Sequence, residues 1–226
     1  MGALLAKGLM STIEELYDYQ VVRNLPEATA LVVHVSETFH ILGSTQQATL
    51  LSQPVDNLRQ RRGGGGVVRI EPDDVWLDLW IPRDDPRYID DVTDMAVQVG
   101  KWWAGALDYY LETPVEVATS MEVLRGDYAA ACFAGRGPGE VFGGTRKLVG
   151  VTQWRVREGA FIATLLPRNS QESLARVVGD PEGLKEHLEG AGGAAALFDA
   201  AVLDFVARDV IDQAGGMTRR ELHLVP

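Results

Sequence analysis

Three places in this 226-residue chain carry side chains that could do chemistry. Two arginines, Arg61 and Arg62, run directly into four consecutive glycines, Gly63–Gly66. The chain's single cysteine is Cys132, and Lys147 follows it in a glycine-rich turn. Guanidinium groups are planar donors suited to phosphate or carboxylate, and a glycine run lets the backbone approach a ligand closely. The arginine–glycine stretch is therefore a candidate ligand-binding loop.

Composition alone leaves two other interpretations of this stretch open. It is compatible with a flexible basic hairpin loop, because a glycine run without context is a weak motif. It also resembles a disordered RGG-type nucleic-acid tract. That tract occurs only once, in a chain whose net charge is −11. The acidic balance argues against a nucleic-acid or anionic-membrane surface, so we predict neither partner.

Cys132 and Lys147 each have a structural and a catalytic interpretation. A lone cysteine is commonly a small buried hydrophobe, but beside a cation it can become a nucleophile that holds an acyl group as a thioester. A lysine on an apolar strand can extend its ammonium to solvent from a strand edge. If desolvated, the same ammonium is well placed to hold an acyl carbonyl or a phosphate.

The other residues exclude several classes of protein. Four histidines show no metal-ligand spacing, and with one cysteine a zinc site is not expected, so we predict no metal site. One cysteine forms no internal disulfide, which favours a cytoplasmic protein. No apolar run is long enough to span a membrane. Hydrophobic residues make up 46% of the chain, enough for the core of one α/β domain over residues 1–226.

Periodicity predicts the elements that would position these residues. A capping box beginning at Ser11 predicts a helix ending before Pro26, and Asp84 or Asp85 is predicted to cap a long helix with an aromatic stripe. Predicted strands cover 30–35, 38–42, 67–70, 75–81, 115–123, 128–133, 147–155 and 160–166. The first two of these are predicted to pair as a hairpin. The remaining predicted helices cover 171–178, 184–188 and 194–213.

Taken together, three segments resemble the lipoate–protein ligase A family of the biotin and lipoate ligase superfamily. The family's Arg-Arg-x-Ser/Thr-Gly-Gly-Gly-x-Val motif is similar to residues 61–68, with the glycines one position early and the Ser/Thr lost. Residues 145–153 match the family's Gly-Arg-Lys segment in outline, and residues 42–46 resemble its Leu-Gly-x-x-Gln strand end. These anchors occur in family order and span about 42–166.

The resemblance implies a mixed, largely antiparallel β-sheet flanked by helices, an α/β (α+β) catalytic domain. It implies a lipoate–protein ligase that attaches a lipoyl or similar acyl group to a carrier-domain lysine through an acyl-adenylate. ATP with Mg²⁺ and lipoate would be the cofactors, and a lipoyl carrier domain or glycine-cleavage H-type protein the acceptor. Lys147 would contact the acyl carbonyl. The family's other ligand contacts would fall on Gly43, Gln46, Arg61, Arg62, Gly63, Gly64, Gly65, Gly66, Gly150, Thr152 and Gln153.

Two alternatives stay open within this resemblance. Octanoyltransferases of the superfamily use a cysteine ahead of the equivalent lysine, often followed by phenylalanine, and Cys132-Phe133 is similar. Such an enzyme would take octanoyl from acyl carrier protein and need no cofactor. The chain lacks an evident C-terminal accessory domain, which favours a transferase or a ligase with a separate accessory subunit. The family commonly has histidines where this chain has Ile70 and Ile162, so a non-catalytic acyl- or nucleotide-binding relative is the second alternative.

Overall fold

A computed structural model describes residues 9–17, 22–122, 129–179, 183–198 and 200–225. Most strands belong to one eight-stranded sheet, and three short strands form a second sheet in the order β4-β3-β5. The strands are β1 (Leu9–Thr12), β2 (Thr29–Val35), β3 (Phe39–Leu42), β4 (Leu58–Gln60), β5 (Val68–Ile70), β6 (Val75–Pro82), β7 (Val115–Val117), β8 (Val141–Gly143), β9 (Arg146–Val156), β10 (Gly159–Leu166) and β11 (Thr218–Val225). The α-helices are α1 (Ile13–Tyr17), α2 (Val92–Asp108), α3 (Leu174–Val177), α4 (Gly183–Leu188) and α5 (Ala200–Gln213).

The large sheet is mixed and largely antiparallel, as predicted. Its order is β1-β11-β2-β6-β10-β9-β8-β7. From β2 to β7 every neighbouring pair is antiparallel, whereas β11 runs parallel to both β1 and β2. Long pairings hold its centre, because β10 pairs with β6 on one side and with β9 on the other. The predicted fold class is confirmed.

Both faces of the large sheet are covered. Alternate residues of β6 point to opposite faces, so Leu77 and Leu79 pack with α2 and α5, while Trp76 and Trp80 pack with the small sheet. All eight residues of β6 are buried. The alternation predicted one apolar face for this strand. The small sheet covers the second face, which places two tryptophans and Asp78 in the interior.

Several predicted elements differ from the structure because pairing is decided by distant segments. Residues 39–42 do not form a hairpin with β2; they pair with β4 and β5. The long helix is capped by Asp91, whose carboxylate accepts the backbone N–H of Asp94 at 2.9 Å, and not by Asp84 or Asp85. The strand predicted at 115–123 is shorter, ending at Val117.

The two ends of the chain also differ from prediction. The first capping box lies one residue later, where Thr12 and Glu15 exchange hydrogen bonds. Helix α1 covers only five described residues of the predicted helix, and 18–21 lie outside the described part of the chain. Strand β11 was not predicted. Its alternation, with Leu222 and Leu224 buried and His223 exposed, was the available signal.

Asp78 is fully buried in the central strand β6. One carboxylate oxygen accepts the indole N–H of Trp76 at 2.7 Å, and the other has no hydrogen-bond partner. Burial raises the pKa of Asp78 from 3.8 to about 8, although the hydrogen bond from Trp76 favours the carboxylate and opposes the shift. The folded protein therefore holds a proton on Asp78 at a pH where the unfolded chain does not.

We expect Asp78 to make stability fall as pH rises. Between about pH 4 and pH 8 the folded state binds the extra proton, so the free energy of unfolding decreases with a slope approaching about 1.4 kcal/mol per pH unit. Asp78→Asn removes this contribution while keeping an acceptor for Trp76. Urea unfolding of both proteins at pH 5, 6, 7 and 8 measures it. The free energy of unfolding of wild type minus that of the variant should decrease as pH rises. Parallel pH profiles would contradict the assignment, and Asp73→Asn, at an exposed turn, is the control.

Candidate active site

Arg61 holds the glycine loop together from inside. Its side chain is 5% exposed, and its guanidinium donates to the carbonyls of Ile41 (3.0 Å), Gly64 (2.8 and 3.2 Å) and Gly66 (2.9 Å). Four of its five N–H groups are therefore used by backbone carbonyls. Arg61 shapes the loop, and its neighbour Arg62 is exposed, with its guanidinium 5.9 Å from the Trp154 ring centroid.

Close packing or a positive φ explains Gly43 and three of the four glycines in the run. A Cβ on Gly43 would lie 1.8 Å from the carbonyl oxygen of Gly65, and one on Gly66 would lie 2.5–2.6 Å from the backbone of 130–132. A Cβ on Gly63 would lie 2.4 Å from the hydroxyl of Thr152. Gly65 has φ +97°, which disfavours other residues. Of the four glycines in the run, only Gly64 could carry a Cβ with no other atom within 4 Å, because that position faces open space.

Gln46 and Thr152 connect the loop to its neighbours. The amide of Gln46 accepts the N–H of Gly43 at 3.0 Å and donates to the carbonyl of Ala130 at 2.9 Å. The hydroxyl of Thr152, on β9, donates to the carbonyl of Gly64 at 3.2 Å. Both side chains therefore fix backbone geometry around the glycine run.

Cys132 lies in a 3₁₀ turn, Cys132–Ala134, beside the loop. The predicted strand ending here is wrong. The local pairing is a single bridge, in which Val67 donates its N–H to Ala130 (2.7 Å) and accepts the N–H of Cys132 (2.9 Å). Residue 128 of that predicted strand lies outside the described residues. The bridge brings the thiol beside the glycines, since a Cβ on Gly65 would be 3.9 Å from Sγ.

Lys147 is buried at the start of β9, with 2% of its surface exposed. Its ammonium donates to the carboxylate of Glu140, to the carbonyl of Cys132 at 2.6 Å, and to the carbonyl of Gly135 at 3.4 Å. The nitrogen also lies 5.0 Å from the ring centroid of Phe133. An ammonium has three N–H groups, so each has an acceptor, and the bond to Gly135 is the longest.

Glu140 is a site residue that sequence reasoning missed. It is 6% exposed, pairs with Lys147, and accepts the N–H of Gly137 at 2.7 Å. Burial raises the pKa of Glu140 above its ordinary value, although the Lys147 ammonium beside it acts in the opposite direction. The sequence places Glu140 in a Gly-Pro loop, where a glutamate is normally solvated, so only its predicted proximity to a buried lysine could have identified it.

Two cavities meet at Cys132. The larger has a volume of about 540 Å³ and is lined by Gly64–Gly66, by the first turn of α2, by 129–140 in part, and by 151–153. The smaller has a volume of about 40 Å³ and lies deeper, between the two sheets. Cys132 and Thr152 line both, so a ligand could extend from one into the other past the thiol.

The structure places the predicted residues in or beside the two cavities, where some line a cavity and others support the glycine loop. Those that line the large cavity are Gly64, Gly65, Gly66, Cys132, Thr152 and Gln153. Gly150 and Arg61 line the small cavity. Gly43, Gln46 and Gly63 support the loop, and Lys147 lies behind the cavity wall with its ammonium paired to Glu140, which does line the cavity. Their part in ligand binding stays a prediction.

Comparison with solved structures gives clear relatives at the level of fold. A lipoate protein ligase from T. acidophilum with bound lipoic acid aligns over 96% of this chain and 87% of its own, with a TM-score of 0.67 and 14% identity. A lipoate-protein ligase A bound with ATP aligns over 96% and 89%, with a TM-score of 0.67 and 13% identity. The chain has the fold of the lipoate–protein ligases.

A third neighbour with the lipoate–protein ligase fold is the bi-partite lipoate protein ligase of Thermoplasma acidophilum, from a study that includes its E2 lipoyl domain. It aligns over 95% of this chain and 86% of its own, with a TM-score of 0.64 and 13% identity. No protein-family model matches the chain, and a search of curated protein sequences gives no match. The likeness therefore lies in the structure, and the three sequence anchors fall on one site within it.

The described residues show neither a cluster of metal ligands nor a membrane-spanning helix. Within the described residues, no group of three or more His, Cys, Asp or Glu side chains is placed to hold a metal ion. None of the described helices has the length and apolar character that crossing a membrane requires.

Proposed function

We propose that this chain is a lipoate-ligase-like enzyme that attaches a lipoyl or similar acyl group to a lysine of a carrier domain. One observation carries the proposal. Cys132, Val151 and Thr152 form the shared boundary of a 540 Å³ cavity, which the glycine loop lines, and a smaller apolar pocket. An acyl chain in the pocket would place its carboxyl carbon at this boundary, with room in the cavity for an activating group and for the incoming lysine.

If the protein is a ligase, ATP activates the acyl group, and several features of the large cavity suit ATP. Gly64–Gly66 offer backbone that a phosphate can approach closely, and the first turn of α2, capped by the Asp91 carboxylate, lines the same cavity. Arg136 lines the same cavity and adds a guanidinium, a donor that suits a phosphate. ATP bound there would activate the acyl carboxyl group.

Lys147 would supply positive charge to the acyl carbonyl. Its ammonium is fixed by Glu140 and by the carbonyl of Cys132, so its position is set before a ligand arrives. The long bond to Gly135 is the weakest of its three, and that N–H is the one a ligand carbonyl could take. Preorganised charge at a developing oxyanion is worth far more in a buried site than in water.

A second candidate function is acyl transfer through Cys132 without ATP. The observation that favours it is that the thiol lines both cavities, where an acyl carbonyl would lie. The thiolate would attack the acyl thioester of a carrier protein, forming a new thioester as the carrier's thiolate leaves and takes up a proton. The amine of the acceptor lysine would then attack that thioester, forming an amide and releasing the Cys132 thiolate.

Cys132→Ser separates the two candidates. The protein is incubated with a lipoyl domain and either lipoate plus ATP or octanoyl-acyl carrier protein, and the mass of the domain is followed. For a ligase, modification requires ATP, and Cys132→Ser keeps most of the activity because the thiol takes no part. For a transferase, modification proceeds without ATP, and Cys132→Ser lowers its rate by at least about 100-fold.

Intact mass of the enzyme adds an independent readout. A transferase stopped before acceptor addition should carry an acyl group on its single cysteine, and the Cys132→Ser variant should carry none. If neither donor modifies the domain under any condition, while the folded protein still binds acyl or nucleotide ligands, the chain is a binding protein and the proposal fails.

A further inference from the structure

Arg155, on β9, holds the segment of chain that leads into helix α2. Its Nη1 donates to the hydroxyl of Tyr88 at 3.0 Å and to the carbonyl of Asp90 at 2.8 Å. Its Nη2 donates to the carbonyls of Ile89 at 2.7 Å and Asp91 at 3.1 Å. Four of the five N–H groups of this guanidinium therefore bind one hydroxyl and three successive backbone carbonyls.

Gln153 extends this set of contacts by one residue. It lies two positions before Arg155 on β9, so both side chains point to the same face of the sheet. The amide nitrogen of Gln153 donates to the carbonyl of Val92, and its amide oxygen accepts the Nε–H of Arg155 at 3.3 Å. The two side chains together bind the four consecutive carbonyls of residues 89–92, and we call them the β9 clamp.

The β9 clamp connects two walls of the large cavity. Residues 151–153 of β9 line the cavity, and so does the start of α2. The carbonyl of Asp91 accepts the N–H of Met95 at 3.0 Å, which is a hydrogen bond of the first helical turn, and it also accepts the Nη2–H of Arg155. The clamp therefore fixes where the helix begins relative to β9, and with it the distance between these two walls.

We propose that Arg155 is a positioning residue for the group that occupies the large cavity during acyl activation or transfer. The inference rests on the proposed function, in which that group lies between the glycine loop and the start of α2. Arg155 is not among the described residues that line the cavity, so it acts through the backbone of 89–92. Its planar fork is required, because the three N–H groups of a lysine share one atom and cannot reach carbonyls spread over three residues.

Hydrogen exchange tests the β9 clamp without requiring any activity. Wild type, Arg155→Met and Arg83→Met are compared by mass spectrometry over 92–98 and 99–108. In Arg155→Met the amides of 92–98 should exchange at least about tenfold faster, because the helix start opens locally. Those of 99–108 should keep the wild-type rate, which shows that the variant is folded. Arg83 is exposed and contacts the same segment through the Asp90 carboxylate at 3.1 Å, so Arg83→Met is the matched control and should resemble wild type. Equal exchange in wild type and Arg155→Met overturns the inference.

Steady-state kinetics test whether the β9 clamp positions the reacting group. A lipoyl domain is modified with the donor that wild type uses, either ATP with lipoate or octanoyl-acyl carrier protein. In Arg155→Met the KM for ATP or for the carrier thioester should rise at least about tenfold, with kcat within about threefold of wild type. Arg155→Lys keeps the charge without the fork, so its KM should stay raised. Full rescue by lysine, or an unchanged KM in Arg155→Met, overturns the inference while the proposed function stands.

Direct binding separates failure of the inference from failure of the proposed function. If wild type modifies no domain with either donor, the proposed function fails. The Kd for ATP is then measured by calorimetry for wild type, Arg155→Met and Arg83→Met. Binding that is at least about tenfold weaker in Arg155→Met alone supports the positioning role of Arg155 at the cavity. Equal binding by the three proteins, or no binding by wild type, overturns it.

Discussion

Replacing Lys147 with methionine should abolish acyl transfer and lower the free energy of unfolding by about 3–5 kcal/mol. The large structural effect follows from Glu140, which is buried and would lose the ammonium that balances its charge. Breaking a buried ion pair by removing one partner costs far more than the pair contributes, because the remaining charge stays desolvated. Urea unfolding and the domain-modification assay measure the two effects.

The double variant Lys147→Met with Glu140→Gln separates the structural role from the catalytic one. Glutamine keeps an acceptor for the N–H of Gly137 but carries no charge, so most of the lost stability should return. Activity should remain absent, because the cation is still missing. Recovery of both stability and transfer in the double variant would show that Lys147 is needed only for the fold.

The single variant should also become pH-dependent. Burial already raises the pKa of Glu140, and removal of Lys147 raises it further. The folded state would then take up a proton that the unfolded state binds only at lower pH, so stability falls as pH rises. The destabilisation of Lys147→Met should therefore be smaller at pH 5 than at pH 8, and a pH-independent loss would contradict the role given to Glu140.

The sequence predicted the parts of this site that depend on residue type. A lysine on an apolar strand, a glycine run and a cysteine followed by phenylalanine each restrict the local backbone or its surroundings. The structure brings the glycines and the cysteine to one cavity and places the lysine behind its wall. The central strands β6, β9 and β10 and the stripe of α2 were also predictable, since their periodicity is long and regular.

The missed features depend on contacts between distant segments. Strand β3 lies close in sequence to β2, yet its hydrogen bonds go to β4 and β5, because the chain turns away after residue 35. For Arg61, ligand binding stays a prediction; what the sequence did not indicate is that the loop folds back and presents its own carbonyls to the guanidinium. Glu140 becomes a buried partner only because α2 and β9 enclose its loop.

Gly43→Ala should disrupt the glycine loop more than any other single methyl group. The added Cβ would lie 1.8 Å from the carbonyl oxygen of Gly65, and both partners are backbone, so no side chain can move aside. The strand end must separate from the loop, which would also loosen the hydrogen bonds of Arg61 to Gly64 and Gly66. We expect a loss of about 3 kcal/mol or more in the free energy of unfolding, together with loss of acyl transfer.

Gly64→Ala is the matched control, since it adds the same methyl group to the same loop. Nothing lies within 4 Å of its Cβ position, so the free energy of unfolding should change by no more than about 0.5 kcal/mol. The methyl group would nevertheless enter the large cavity, because Gly64 lines it. An increase in KM for the activated acyl donor, with stability unchanged, would place the ligand against the loop. If Gly64→Ala leaves KM unchanged, the glycines serve only the close packing that Gly43→Ala destroys, and the ligand lies elsewhere in the cavity.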